Sequence, residues 1–335
     1  MMWNEIRQNK ITEQWVIIAP SRGERPQDFI RPSREREHLA PFDEECPFCP
    51  GNEHVLPSII MELPKPDGSL WQTRVVPNKY PALVPEGDMK RCKQGVYLTM
   101  RGYGRHEVIV ESSEHNQQMA LMSLKEVAII IETYHRRYRE HMEEHMNMMV
   151  VIFRNHGAGA GTSLIHPHSQ LIVTGLVPHH IRWREEVAQR HFNQWGRCVY
   201  CEILEFEMQD RRRVVFENNS FLAFVPFAAE VPFEIWIVPK KHKADFGNIS
   251  DEEKPDLAAA LQGILARLYK KMNDPDYNYI INTSARYRAD DPELHWYLQV
   301  RPRLTTQAGF EVGSGMSINP TVPEDDADFL NEEII

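Results

Sequence analysis

The chain has 335 residues, with 38 Lys and Arg against 48 Asp and Glu, a formal net charge of -10 and 42% hydrophobic residues. That balance excludes a general nucleic-acid binder, which needs basic surface. No apolar run approaches the roughly 20 residues of a membrane span, and Met1 to Arg7 lacks the apolar core of a signal peptide, so a cytosolic globular protein is expected.

In chain order, Gln14 to Ile18 reads as a strand, followed by a basic turn from Ala19 to Pro26 that carries Arg22 and Arg25. Such a turn is usually a solvated loop, although two arginines three apart suit a phosphate. Cys46-Pro47-Phe48-Cys49 is a first knuckle, Pro64 to Ser69 a hairpin turn, and Arg74 to Pro81 the end of a strand containing Asn78. Gly104 to Glu111 is a strand leading to His115. Ser123-Leu124-Lys125-Glu126 has the capping-box pattern and opens a helix to about His145. Met149 to Phe153 is an apolar strand, and the glycine-rich run Asn155 to Ser163 follows it.

The second half repeats this order. Glu234 to Val238 is a strand leading to His242, Ser250 to Glu253 is a second capping box opening a helix to about Met272, and Tyr279 to Asn282 is an apolar strand. Glu107 and Glu234, His115 and His242, Ser123 and Ser250, and Asn155 and Asn282 all stand 127 positions apart; His166 and His295 stand 129 apart. This register implies an internal duplication with halves at 1–178 and 179–335. The expected class is α+β, an antiparallel sheet with one long helix per half, the halves joining edge to edge.

Chemistry concentrates at Ile165-His166-Pro167-His168-Ser169-Gln170. Leu171 to Val173 continues as a strand, so His166, His168 and Gln170 are expected to share a face. A lone histidine in a strand is more often a core residue. Two imidazoles and a glutamine behind a glycine loop, whose amides can approach an anion, point instead to phosphoryl or nucleotidyl transfer through histidine. The matching positions of the second half hold Tyr297 and Gln299, and its loop, Thr283 to Arg288, has no glycine. The first half therefore keeps the nucleophile candidate, His168, while Gln299 retains a possible pocket role.

Five cysteines are present: the Cys46/Cys49 and Cys198/Cys201 pairs, and Cys92. In a reducing compartment such pairs read as metal knuckles before disulfides. Cys46, Cys49, His115 and His166 form one Cys₂His₂ set; Cys198, Cys201, His242 and His295 form its duplicate, and zinc suits both. His38, His54, His106, His156, His179 and His180 compete as ligands, the last two as a surface pair. His141 and His145, four apart on the predicted helix, are expected to face solvent. A metal-bound His166 cannot be the nucleophile; it would aim His168, two residues on.

These motifs resemble the galactose-1-phosphate uridylyltransferases, the transferase branch of the histidine triad superfamily, from about Trp15 to Asn319. The resemblance implies two histidine-triad-like halves and a ping-pong transfer through a nucleotidylated His168. It gives Gln170 the reacting phosphoryl group, Asn155, Gly161 and Ser163 the phosphate, Arg22 and Arg25 the substrate phosphate, and Asn78 the nucleotide side. Expected partners are a nucleotide sugar and a sugar 1-phosphate or inorganic phosphate, in a homodimer, with no nucleic acid or membrane involved. Ser169 stands where better-known members have glycine, and Cys198/Cys201 supply a second knuckle those members lack. In these respects the chain is similar to a two-zinc branch that includes ADP-glucose phosphorylases. A nucleotide hydrolase and a zinc-stabilised nucleotide-binding protein without transfer are the alternatives.

Overall fold

A computed structural model describes residues 3–22, 29 and 39–332. β1 (Glu5–Gln8) and β2 (Trp15–Ile18) lead to β3 (Met61–Pro64) and β4 (Trp71–Pro77), joined by the expected hairpin turn. A small hairpin of β5 (Cys92–Gln94) and β6 (Tyr97–Thr99) precedes β7 (Gly104–Val110) and α1 (Leu124–Glu143), after which come β8 (Met149–His156) and β9 (His168–Thr174). The second half begins with α2 (His179–Trp195) and α3 (Val199–Asp210), continues through β10 (Val214–Glu217), β11 (Phe221–Phe224) and β12 (Ile235–Pro239), and reaches α4 (Glu253–Met272). It ends with β13 (Tyr277–Asn282), β14 (Tyr297–Pro302), α5 (Gly309–Ser314), β15 (Ile318–Asn319) and α6 (Pro323–Asn331).

Ten strands make one sheet in the order β10-β11-β12-β14-β13-β8-β9-β7-β4-β3, every pair antiparallel. The two five-stranded halves mirror each other and meet where β13 pairs with β8, Tyr277 opposite His156. The fold is thus α+β, with the halves joined edge to edge. Helices α1 and α4 cover one face. Each starts at its capping box: Ser123 Oγ accepts from Glu126 N at 3.3 Å while Ser123 N donates to Glu126 Oε2 at 2.8 Å, and Ser250 and Glu253 exchange the same pair of bonds. Val127, Ile130, Ile131, Tyr134 and Tyr138 of α1 and Leu257, Leu261, Ile264 and Leu268 of α4 sit at helical spacing and are buried in a single core shared by both halves. Among the described residues no helix is long and apolar enough to cross a membrane.

Three expectations need correction. The second half carries α2 and α3 in addition to its one long helix. His141 is buried, not solvent-facing: its Nε2 lies 2.8 Å from Glu107 Oε1, beside Arg137, whereas His145 lies near Arg286. And Glu107 does not correspond to Glu234. Strand pairing sets Gln170 opposite Val108 and Gln299 opposite Trp236, so the structural counterpart of Glu234 is His106. A slip of one residue in a strand reverses the face. Glu107 therefore points toward α1, and Glu234 points across to Gln299, whose Nε2 donates to it at 2.7 Å.

Burial alone would raise the Glu107 carboxyl, but hydrogen bonds and charge from His141 and Arg137 outweigh it and hold its pKa at about 2. The lowered folded value makes this a stabilising contribution present above the ordinary carboxylate range and lost as pH falls toward 2, on the order of 3 kcal/mol in full. Urea titrations of wild type and Glu107→Gln should therefore differ most near pH 7, and the difference should shrink steadily below about pH 4.5. A difference independent of pH would contradict the pairing.

Candidate active site

The glycine run links β8 to β9 and folds back over the end of the sheet. Gly161 takes a left-handed φ of 91°, and a Cβ on Gly159 would sit 2.6 Å from Asp276 Oδ2, so neither position accepts a side chain without strain. The loop closes over a cavity of about 280 Å³ whose lining includes Asn155, Ser163, His115, His166 and His168. A larger apolar cavity of about 410 Å³ lies between Gln8 to Lys10 of the first half and Phe224 and Trp236 of the second, without histidine or cysteine in its lining.

His166 precedes β9 instead of lying within it, and turns into the knuckle. Its Nδ1 is 3.6 Å from both Cys46 Sγ and Cys49 Sγ, and His115 Nδ1 is 3.6 Å from Cys49 Sγ. The four ligand atoms all lie within 4.8 Å of one another, and the same holds for Cys198, Cys201, His242 and His295. Donor chemistry supports metal at both. His166 Nε2 donates to Ser112 O at 2.8 Å and His295 Nε2 to Pro239 O at 2.9 Å, which leaves both Nδ1 lone pairs facing the sulfurs. Burial pushes the Cys46 thiol up to about 11, so its ligating thiolate form calls for a cation. Phe48, inside the first knuckle, packs its ring 5.5 Å from that of His168.

His168 opens β9 and is 8% exposed. Its Nδ1 lies 2.9 Å from the carbonyl oxygen of His166. A carbonyl only accepts, so Nδ1 carries the proton and Nε2 keeps its lone pair. Burial lowers the pKa of the ring, which favours that neutral form. Two residues on, Gln170 shares the face. His106 Nδ1 accepts from Ala82 N at 3.2 Å, so its Nε2 donates to Gln170 Oε1 at 2.7 Å, and the Gln170 NH₂ group is left to other acceptors. Asn78 joins this cluster, its Nδ2 3.5 Å from Gln170 Oε1. His106, treated from sequence only as a competing metal ligand, thus orients an amide.

Ser169 points to the opposite face. Its hydroxyl is bonded to Glu111 and lies 2.5 Å from Tyr134 OH, and Arg154 is ion-paired with the same Glu111. Ser169 therefore serves a buried polar layer beneath the strand. Arg22 is exposed at the end of a short turn and is not part of the cavity lining; Arg25 and His38 lie outside the described residues.

In the second half the equivalent space is closed. Arg184 from α2 donates to Asn282 Oδ1 at 2.6 Å and to Tyr297 OH at 3.3 Å, and the cavity beside them is about 10 Å³. Gln299 donates to Glu234 and accepts from Asn282, and the structure does not bring it to the His168 cavity.

A duplicated sheet that sets His168 against a glycine-loop cavity, with a Cys₂His₂ cluster in each half, defines a nucleotidyltransferase of the histidine-motif type. Residues 2–178 match the family model of the galactose-1-phosphate uridyl transferase N-terminal domain, and residues 184–316 that of its C-terminal domain; the chain belongs to this family. It is 35% identical over 332 residues to the ADP-glucose phosphorylase of Arabidopsis thaliana, covering 98% of this chain and 92% of that one. It is 30% identical over 338 residues to the galactose-1-phosphate uridylyltransferase of Thermotoga maritima, covering 98% of both. The crystal structure of the Arabidopsis thaliana ADP-glucose phosphorylase with bound ADP-glucose superposes with a TM-score of 0.84 at 32% identity, over 100% of both chains.

Elemental analysis should find one metal ion per cluster, two per chain. His115→Ala should retain only the second. An intact wild type with one ion or none would contradict the ligand assignment.

Proposed function

We propose that the protein transfers a nucleotidyl group from a nucleoside diphosphate sugar to a phosphate acceptor by way of His168. The observation that carries this is the buried ring with Nδ1 bonded to the His166 carbonyl, which leaves the Nε2 lone pair with no partner among the described residues. Nε2 attacks the α-phosphorus, a P–N bond forms, and the P–O bond to the sugar 1-phosphate breaks with its electron pair leaving on oxygen. The ring becomes a cation, stabilised by the carbonyl that accepts its Nδ1 proton. An acceptor phosphate oxygen then attacks the same phosphorus and the P–N bond breaks, restoring the neutral ring. Ser163, Asn155 and the loop amides near Gly161 are assigned to the phosphoryl oxygens, and the Gln170 NH₂ to the reacting group, because charge stabilisation by fixed donors is most of what such a transfer needs. Asn78 is assigned to the nucleotide side, and Arg22 and Arg25 to substrate phosphate.

We assign zinc to both clusters, since sets of two thiolates and two imidazoles suit it; when bound it supplies a closed structural clamp with no open position. The main reading of the substrate pair is UDP-glucose with a hexose 1-phosphate such as galactose 1-phosphate, after the family. A second reading, ADP-glucose with inorganic phosphate as acceptor, is favoured by the 35% identity to the Arabidopsis thaliana phosphorylase. A cytosolic homodimer belongs to the same proposal, the dimer resting on family resemblance.

Incubation with UDP-glucose and ADP-glucose labelled at the α-phosphate should leave acid-labile, base-stable label on the protein. His168→Ala should abolish it, and Ser163→Ala should slow it roughly 100-fold. Whichever base gives label identifies the donor. Label surviving in His168→Ala, or none with any nucleotide sugar, would sink the proposal.

A further inference from the structure

The second half lacks a nucleophile, yet its strand β13 grips the glycine loop of the first. Asp276 Oδ2 accepts from Gly159 N at 3.0 Å, and the His156 ring stacks on Tyr277 with centroids 4.5 Å apart. Asn278, directly opposite Asn155 across the β13–β8 junction and 9% exposed, makes three bonds. Its Nδ2 lies 2.9 Å from Ala160 O and 2.8 Å from Asn155 Oδ1, and its Oδ1 lies 2.6 Å from Arg303 Nε.

Donor and acceptor rules fix every orientation here. The Ala160 carbonyl can only accept and the Arg303 Nε–H can only donate, so the Asn278 amide has one possible setting. Its NH₂ group then has one hydrogen for Ala160 and one for Asn155, and the Asn155 atom that receives it must be oxygen. The Asn155 NH₂ group is thereby turned to the cavity it shares with His168. Were the amide reversed, an oxygen lone pair would face the incoming phosphate and repel it.

The duplication supplies an internal comparison. The counterpart of Asn155 is Asn282, and strand register puts Val151 where Asn278 would be. With no orienting amide opposite it, Asn282 gives its oxygen to Arg184 and its NH₂ to Gln299, in the closed half. The orienting asparagine faces only the open loop.

We propose that Asn278 is a positioning residue for nucleotidyl transfer: it sets the Asn155 amide so that a donor, and not an acceptor, meets the phosphoryl group at His168. This rests on the transfer reading above. Asn278→Asp keeps the size and the Arg303 contact but cannot donate, so the Asn155 amide should reverse. Single-turnover labelling of His168 should fall roughly 100-fold in Asn278→Asp, about what the loss of one transition-state donor costs. In an Asn155→Ala background the same substitution should change the rate less than about 3-fold, because the group it acts through is gone. Melting temperature measured alongside separates loss of fold from loss of rate. A rate in Asn278→Asp equal to wild type, or an equal loss in both backgrounds, would overturn the proposal and leave Asn278 as a joint between halves. If wild type takes no label at all, the transfer reading fails on its own. Calorimetric binding of ADP and UDP to the same four proteins then decides, with Asn278→Asp expected to weaken binding only where Asn155 is intact and equal weakening in both backgrounds overturning it.

Discussion

One hydrogen bond governs this site: the 2.9 Å contact from His168 Nδ1 to the main-chain carbonyl of His166. In the proposed transfer it decides which nitrogen attacks, because the other donates its N–H to a carbonyl that can only accept. In that transfer it would also supply the partner for the positive charge the ring acquires on bonding phosphorus. A carbonyl can do this only if it is held still. His166 is held by three connections: its Nδ1 toward the two cysteine sulfurs, its Nε2 on Ser112 O, and its own main chain leading into β9. The Cys₂His₂ cluster thus matters for where it holds a backbone oxygen beside the His168 ring.

The duplication explains the rest of the arrangement as a division of labour. Both halves keep a Cys₂His₂ cluster, a capped helix and a glutamine on the strand after the loop. They differ in what stands around that glutamine. In the first half His106 takes the Gln170 oxygen and leaves a donor to spare. In the second, Glu234 and Asn282 occupy both ends of Gln299, and Arg184 fills the space above. The second half is consumed by its own polar contacts, and what it offers outward is β13. Joining at β8 puts that strand beside the glycine loop, so the second half fixes the loop geometry of the first.

Much of this was legible in the sequence because it is written at short range or by identity. The capping boxes at Ser123 and Ser250 are four-residue signals, the strands announce themselves by alternation, and the ligand sets repeat residue for residue. What was not legible depends on register between strands distant in sequence. Glu107 and Glu234 match as letters, but a one-residue slip in β12 sends them to opposite faces, and so the burial of His141 against Glu107 was missed. Helix α2 escaped because Pro178 at its cap offers no side-chain bond and its surface is polar. Asn278 and His106 escaped because each acts on an amide more than 60 residues away, and nothing local to either residue records that.

The account stands most directly on which nitrogen takes the phosphorus. Trapped nucleotidyl-enzyme, prepared with ¹⁵N-histidine and read by ³¹P–¹⁵N correlation, should show a single phosphoramidate at Nε2 of His168, with Nδ1 still protonated. An adduct at Nδ1, or on any other histidine, would mean that the His166 carbonyl does not set the nucleophile.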